Sequence, residues 1–386
     1  MTRPEGRPLR LTVVIGSLER GGAEQHLLQV LPLLARRGFS VEVFCLNYRG
    51  QLAAEMERRG VPVFSPRARR SQYRLVRWIG QLLGFLCLML RLLLRRPDIV
   101  HFYLPSAYMV GTPAAILACC RVRVMSRRSQ NYYQSRYFWA AAVERWLHRR
   151  TSAIIGNSRS VTRQLSEEGV PDSRLHLIYN GVDISAYAGP VDMAAIRREL
   201  GIAEDALVFV IVANLIPYKG HADLLDALAQ AALAPGWVLL CAGRDDGIGQ
   251  SLQARAEAAG LSGHIRWLGS VEAVPALLAA ADIGLLVSHE EGFSNAIIEY
   301  MAAGLPVIAT DVGGNAEAVA NEESGLIVPA RDPAALAAAI RRLAADPELR
   351  RRMGEAGQRI VGDRYSLEAC AEAYDRFYRG LLTRKR

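Results

Sequence analysis

In the stretch HEEGFSNAIIEYMAAGLPVIATDVGG (His289–Gly314) two carboxylates, Glu291 and Glu299, stand eight positions apart with a Gly-Phe-Ser-Asn turn between them. Ile283–Val287 before the turn reads as a strand, Ser294 is suited to cap a helix running to about Ala303, and Gly304 stops it. The start of such a helix presents unpaired backbone N–H groups and a positive dipole end, which favour a phosphate or diphosphate. Carboxylates do not bind phosphate. Flanking a bound diphosphate, they would accept hydrogen bonds from sugar hydroxyls, so the pattern points to a nucleoside diphosphate sugar. The competing reading is that Glu299 belongs to a solvated helix face and Glu291 is an ordinary loop acid.

Three further features bear on the choice. Residues 282–330 contain no Lys or Arg, so the charge that compensates a diphosphate must come from elsewhere. Lys219 is the candidate: it and Lys385 are the only lysines among 47 basic residues, and a compact ammonium on a flexible stem suits a phosphate oxygen. The alternative for Lys219 is an incidental surface cation after a strand. Gly21-Gly22 follows the first strand and opens a helix, which would let a backbone approach a ligand closely, and Asp311–Asn315 (DVGGN) supplies a second glycine pair near the same crevice.

The elements that must position these residues alternate strand and helix. Leu11–Gly16, Val41–Leu46, Asp98–Tyr103, Arg121–Met125 and Ala153–Asn157 read as strands, with helices at Glu24–Arg37 and Arg74–Arg96. After the turn-rich Asn180–Pro190 the pattern restarts: Ala206–Val212, Trp237–Ala242, Ile265–Leu268, Ile283–Val287, Val307–Thr310 and Gly325–Val328 as strands, Ala222–Ala232 as a helix, and an amphipathic helical tail from Leu367. The expectation is an α/β protein of two doubly wound units, residues 1–186 and 187–365, with 366–386 packing back toward the first. Ligands of open α/β sheets bind at the carboxyl ends of the strands, so a central cleft is the expected location.

Composition bounds the rest. At 386 residues and 51% hydrophobic content the chain can bury large cores, and its length favours two domains. The six cysteines show no metal-ligand spacing, so neither disulfides nor structural zinc is expected, and a reducing cytoplasm fits. The amino terminus lacks the apolar run of a secretory signal, and Trp78–Leu90 falls short of the roughly 20 residues of a bilayer span. Residues 1–186 carry 28 basic against 12 acidic residues and the remainder 19 against 26, a split of +16 and −7 that indicates an anionic partner for the first unit. Arg67, Arg69, Arg70, Arg74 and Arg77 beside Trp78 and an apolar helical stretch suit an interfacial anchor on anionic lipid, the alternative being a packed helix with solvated arginines. No aromatic-basic module marks nucleic-acid binding, and no GxGxxG follows the first strand to mark a dehydrogenase.

Gly21-Gly22-Ala23-Glu24, Asn157-Ser158, Ile178–Asp183 (IYNGVD), Pro217–Gly220 (PYKG) and the Glu-x7-Glu element with its trailing Gly-Leu-Pro-Val together resemble the retaining glycosyltransferases of family 4, over nearly the whole chain and in the expected order. The resemblance implies the GT-B architecture, two Rossmann-like domains facing a central cleft. It assigns Glu299 to the ribose hydroxyls, Glu291 to the transferred sugar, and Lys219 with the backbone of Phe293–Ala296 to the diphosphate. The donor site it implies comprises Gly21, Gly22, Asn214, Lys219, Gly243, Glu291, Gly292, Phe293, Ser294, Asn295, Ala296 and Glu299. The family's arginine five residues before the lysine is here Asn214, and where many relatives carry a histidine near the reacting carbon this chain has Ser126-Arg127-Arg128. Arg127, Arg128 or His101 would have to assist there, although His101 also reads as a core histidine and the two arginines as surface charges.

The implied reaction is retaining transfer from a nucleoside diphosphate sugar, with UDP favoured, to a glycan or lipid-linked acceptor. It requires no metal or other cofactor and would run at the cytoplasmic face of the inner membrane. The loop Arg244–Gly247 (RDDG) is read as a turn, not a metal site. A nucleotide-sugar epimerase and a non-catalytic sugar-nucleotide sensor are the competing readings.

Overall fold

The computed structural model describes residues 7–66, 74–131, 139–189 and 191–383, the side chains of 74–78 excepted. The chain forms two compact units, one of Met1–Gly181 with Leu367–Arg386 and the other of Val182–Ser366.

The first unit holds a seven-stranded sheet ordered β3-β2-β1-β4-β5-β6-β7, built from Leu9–Ile15 (β1), Phe39–Cys45 (β2), Val63–Phe64 (β3), Ile99–Tyr103 (β4), Arg123–Arg127 (β5), Ala153–Gly156 (β6) and Leu175–Leu177 (β7). Every pairing is parallel; Leu11 of β1 faces Val41 on one side and Ile99 on the other. Strands covered on both faces are apolar almost throughout, and β4 is buried at all five positions. The Leu367–Thr383 helix packs on the Gly22–Arg36 helix and puts Tyr374, Tyr378 and Leu381 into this unit's core.

The second unit holds a six-stranded parallel sheet ordered β10-β9-β8-β11-β12-β13: Leu207–Val212 (β8), Trp237–Ala242 (β9), Ile265–Gly269 (β10), Ile283–Leu286 (β11), Val307–Thr310 (β12) and Gly325–Val328 (β13). The strand order reverses between β8 and β11, and open α/β sheets bind ligands at the carboxyl ends of the strands beside such a reversal. These are Rossmann-like α/β domains, as the alternating pattern predicts. The short strands β3 and β7 escape the sequence reading because two or three residues at the end of a sheet carry no recognisable period.

The Arg74–Arg95 helix of the first unit is apolar on two sides. Gly84, Leu88 and Leu92 are buried, and Gly84 lies so close to β2 that a Cβ there would stand 2.3 Å from the Leu46 carbonyl oxygen. Ile79, Leu82, Leu83, Leu86, Leu90, Leu93 and Leu94 form the opposite face, each 44–73% exposed. Arg91 and Arg95 turn to the buried Glu42, at 2.6 and 3.1 Å. Residues Arg67, Arg69 and Arg70, and the side chains of Arg74, Arg77 and Trp78, lie outside the described residues. Among the described residues no helix is long and apolar enough to cross a membrane.

Candidate functional site

In the second unit the chain leaves β8 through Asn214, makes a short 3-10 turn at Pro217–Lys219, and enters the His221–Ala231 helix through Gly220. Gly220 has φ +72°, and a Cβ on it would lie 2.0 Å from the carbonyl oxygen of Val287, the residue just past β11. Only glycine allows this approach. Lys219 is thereby carried against the loop that follows β11, where its ammonium donates to Glu291 Oε1 at 2.5 Å. Ser288 donates from Oγ to the same carboxylate oxygen at 2.8 Å, and Thr310 at the end of β12 fixes the Ser288 carbonyl with a 2.6 Å bond. Burial presses the Lys219 ammonium toward its neutral form, but the charge and hydrogen bond of Glu291, with Tyr218 and Glu290 adding to them, together outweigh this and its pKa is raised.

The Asp311–Asn315 turn closes on the same loop. Gly313 has φ +56°, with the Glu291 carbonyl oxygen 1.9 Å from where a Cβ would stand, and the Gly314 N–H donates to the Gly292 carbonyl at 2.9 Å. Three strand ends, β8, β11 and β12, thus converge on Glu291 and Gly292.

The helix after the turn runs Asn295–Ala302, with Ser294 in extended conformation at its cap position and no capping bond from the Ser294 side chain. Phe293 and Ala296 are buried beside it. Tyr300 ties this helix to the sheet: its hydroxyl accepts from the Val212 N–H at 2.7 Å and donates to the Leu285 carbonyl at 3.3 Å, and its ring lies over Gly284, whose missing Cβ makes the room. Glu299, the preceding residue, is thereby fixed in direction. Desolvation pushes its carboxyl up to about 7, and Tyr187 lies close enough to feel its charge, with burial as the larger cause of that phenol's raised pKa.

Asn214 accepts the Arg244 N–H at 3.1 Å, and Gly243 at the end of β9 is packed so that a Cβ would lie 2.0 Å from the Ala213 carbonyl oxygen. Asp245 accepts the N–H groups of Gly247, Ile248 and Gly249 at 2.8, 3.0 and 2.9 Å, so the RDDG turn caps the next helix.

The first-unit candidates are placed differently. Glu24 folds back over Gly21, with a carboxylate oxygen 2.5 Å from where a Gly21 Cβ would stand, so the helix end offered by Gly21-Gly22 is covered by an acid of its own; burial raises that acid's pKa. The idea that Arg127 assists at the reacting carbon meets a physical obstacle: its side chain is fully buried and spends its guanidinium on Glu144, at 2.7 Å, and Glu168, at 2.5 Å. His101 is likewise enclosed, with ring nitrogens 2.6 Å from Tyr378 Oη and 2.8 Å from Ser126 Oγ; burial first, and Arg128 second, hold its pKa well below the ordinary value. Arg128, at the end of β5, bonds Asn180 and reaches Tyr374 Oη at 3.5 Å. Ser158 serves as a helix cap, accepting the Val161 N–H at 3.1 Å.

Glu144, His148 and Glu168 are the one group of metal-ligand side chains that converges among the described residues. Arg127 already supplies positive charge to both carboxylates there.

Ser288 and Tyr300 complete this site without any signal in the sequence; Gly220 stands in the PYKG motif, and only the structure shows the positive φ and the close approach it permits.

Comparison with known proteins supplies the class first. The structure matches the GT-B glycosyltransferase fold, for example Anabaena Alr3699/HepE in complex with UDP, with a TM-score of 0.84, 24% identity, and coverage of 96% of this chain and 100% of that one. The family follows: "Glycosyltransferase Family 4" matches residues 20–186 and "Glycosyl transferases group 1" residues 192–360, and the chain belongs to this family. It is 35% identical to the D-inositol 3-phosphate glycosyltransferase of Segniliparus rotundus over 238 residues, 59% of this chain and 52% of that one. It is 33% identical to the glycogen synthase of Mycobacterium tuberculosis over 285 residues, 69% and 65% of the two chains. The matched region spans about half the length of the first of these relatives.

Proposed function

We propose that the protein is a retaining glycosyltransferase that moves a hexose from a nucleoside diphosphate sugar, with UDP as the nucleotide, to a hydroxyl of a membrane-associated glycan or lipid-linked acceptor. The observation that carries the donor half of this reading is the convergence of Lys219, Glu291 and the start of the Asn295–Ala302 helix at the strand-order reversal of the second unit. HepE, a neighbour in fold, is described with UDP and with UDP-glucose, which supports the choice of base.

On this reading Glu299 holds the ribose, Glu291 the transferred sugar, and Lys219 with the helix end the diphosphate. As the bond to the anomeric carbon breaks, negative charge grows on the departing diphosphate. The Lys219 ammonium and oriented N–H groups stabilise that growing charge more than the ground state, which is the requirement for catalysis. The acceptor hydroxyl attacks from the face that the leaving group vacates and gives its proton to the departing diphosphate oxygen, and the developing charge needs no metal.

The acceptor half rests on the first unit, with its +16 balance over residues 1–186 and the exposed leucine face of the Arg74–Arg95 helix. An apolar helix face in a strongly cationic unit suits insertion at an anionic bilayer surface, which supports peripheral attachment at the cytoplasmic leaflet as part of this reading. The test is incubation with labelled UDP-sugars and anionic membrane vesicles from a polysaccharide-producing bacterium. Label should enter the lipid fraction, and the pair Leu86→Glu and Leu90→Glu should abolish vesicle binding and transfer while leaving UDP binding intact. An isomerised free donor would establish an epimerase, and donor binding with no transfer a sensor.

A further inference from the structure

Lys219 and Glu291 face each other across the site, and their contact has a consequence for ligand binding. The two groups assigned to different parts of the donor, diphosphate and sugar, are bonded to one another, Nζ to Oε1 at 2.5 Å. Both side chains are largely enclosed, at 19% and 11% exposure, so neither is a freely solvated surface charge. Ser288 Oγ also bonds Oε1, and the Ser288 backbone is held in turn by Thr310. Glu291 therefore has a fixed anchor that does not depend on Lys219, and Lys219, on its flexible stem, is the mobile partner.

We infer that Glu291 competes with the diphosphate for Lys219, so that the site discriminates the intact donor from the nucleoside diphosphate left after transfer. This rests on the donor-site reading above. When a nucleoside diphosphate sugar enters, its phosphates draw Lys219 away and the sugar hydroxyls donate to the released carboxylate, so both charges stay partnered. When the nucleoside diphosphate binds alone, Glu291 loses its ammonium and gains no hydroxyls. A partly desolvated carboxylate left in that state is costly, and it pulls Lys219 back from the phosphates. The donor is held and the product is expelled by the same acid. Ser288 acts as a positioning residue: it keeps Glu291 within reach of the sugar once the ammonium has moved.

The experiment measures dissociation constants by calorimetry. UDP, ADP and GDP are screened with the full chain, and the tightest of the three is then titrated against the unaltered protein, Glu291→Gln, Lys219→Met and the double variant, with its glucose conjugate in parallel. Glu291→Gln should bind the bare nucleotide more tightly, by roughly five- to tenfold, as expected for release of one partly buried ion pair, and should bind the glucose conjugate no better than before. In the Lys219→Met background the same change should have no effect on the bare nucleotide. Unchanged or weaker nucleotide binding by Glu291→Gln would overturn the inference. So would equal tightening in the Lys219→Met background, which would indicate simple repulsion between the acid and the phosphates. Glu291→Ala serves as the second variant should the glutamine form fold poorly. Failure of all three nucleotides to bind the unaltered protein would instead overturn the donor-site reading itself.

Discussion

Glu291 and Glu299 flank one helix start, yet their surroundings divide their chemistry. Glu291 has an ammonium and a hydroxyl on a single carboxylate oxygen, whereas Glu299 has desolvation to contend with and a carboxyl raised to about 7. Near neutrality Glu299 is therefore poised between its two forms, and in the ribose role proposed for it the donating hydroxyls would favour the ionised one. Donor affinity should rise with pH through the region around 7 and fall by up to about tenfold per unit below it, since each bound donor then displaces a proton. The opposite sign holds for folding: a carboxyl raised above its unfolded value near 4.3 stabilises the native state at low pH, and that contribution is lost as pH rises toward 7. Nucleotide titrations between pH 5.5 and 8.5 check the binding slope, and Glu299→Gln should flatten it. A slope that persists in that variant would remove Glu299 from the ribose role. Both carboxylates were legible in the sequence because their spacing frames a helix start. Their inequality was not, since desolvation is a property of what packs around a side chain.

The elements carry the site through close backbone approaches at two glycines. Gly220 lets the loop after β8 touch the end of β11, and Gly313 lets the loop after β12 touch Glu291, both at positive φ. Gly220→Ala combines an unfavourable backbone conformation with a Cβ 2.0 Å from the Val287 carbonyl oxygen. The cost should be about 1–3 kcal/mol, plus displacement of Lys219. Thermal unfolding should shift down by roughly 2–4 °C per kcal/mol for a unit of this size, with nucleotide affinity falling alongside. An alanine variant with unaltered melting and affinity would contradict the close approach. The apolar runs of the buried parallel strands and the Gly-Gly pairs made the two doubly wound units readable, because a sheet covered on both faces writes itself as continuous hydrophobic segments. His101 and Arg127 show the limit of that reading: a histidine within one strand and an arginine at the end of the next look like chemistry until Tyr378, Ser126, Glu144 and Glu168 are seen closing around them.

For the whole molecule, the chain's last helix is part of the first unit's core. Tyr374, Tyr378 and Leu381 are buried with strands β1, β2 and β4, and Tyr378 bonds His101 at 2.6 Å. Truncation after Ser366, which leaves the second unit whole, should expose that apolar surface and leave the buried imidazole short of a partner, so the shortened chain should aggregate or lose the first unit's unfolding transition while the second still melts cooperatively. Two intact transitions after truncation would contradict this packing. The charge split, +16 over residues 1–186 and −7 over the remainder, is visible in the sequence and underlies the proposal that the first unit meets an anionic surface while the second holds the donor. The central claim concerns that second unit, and calorimetric titration of UDP-glucose against the unaltered protein and Lys219→Ala tests it most directly. The account predicts binding that weakens by about ten- to a hundredfold when the ammonium is removed, in line with loss of a charge-assisted contact to phosphate; binding indifferent to Lys219 would contradict it.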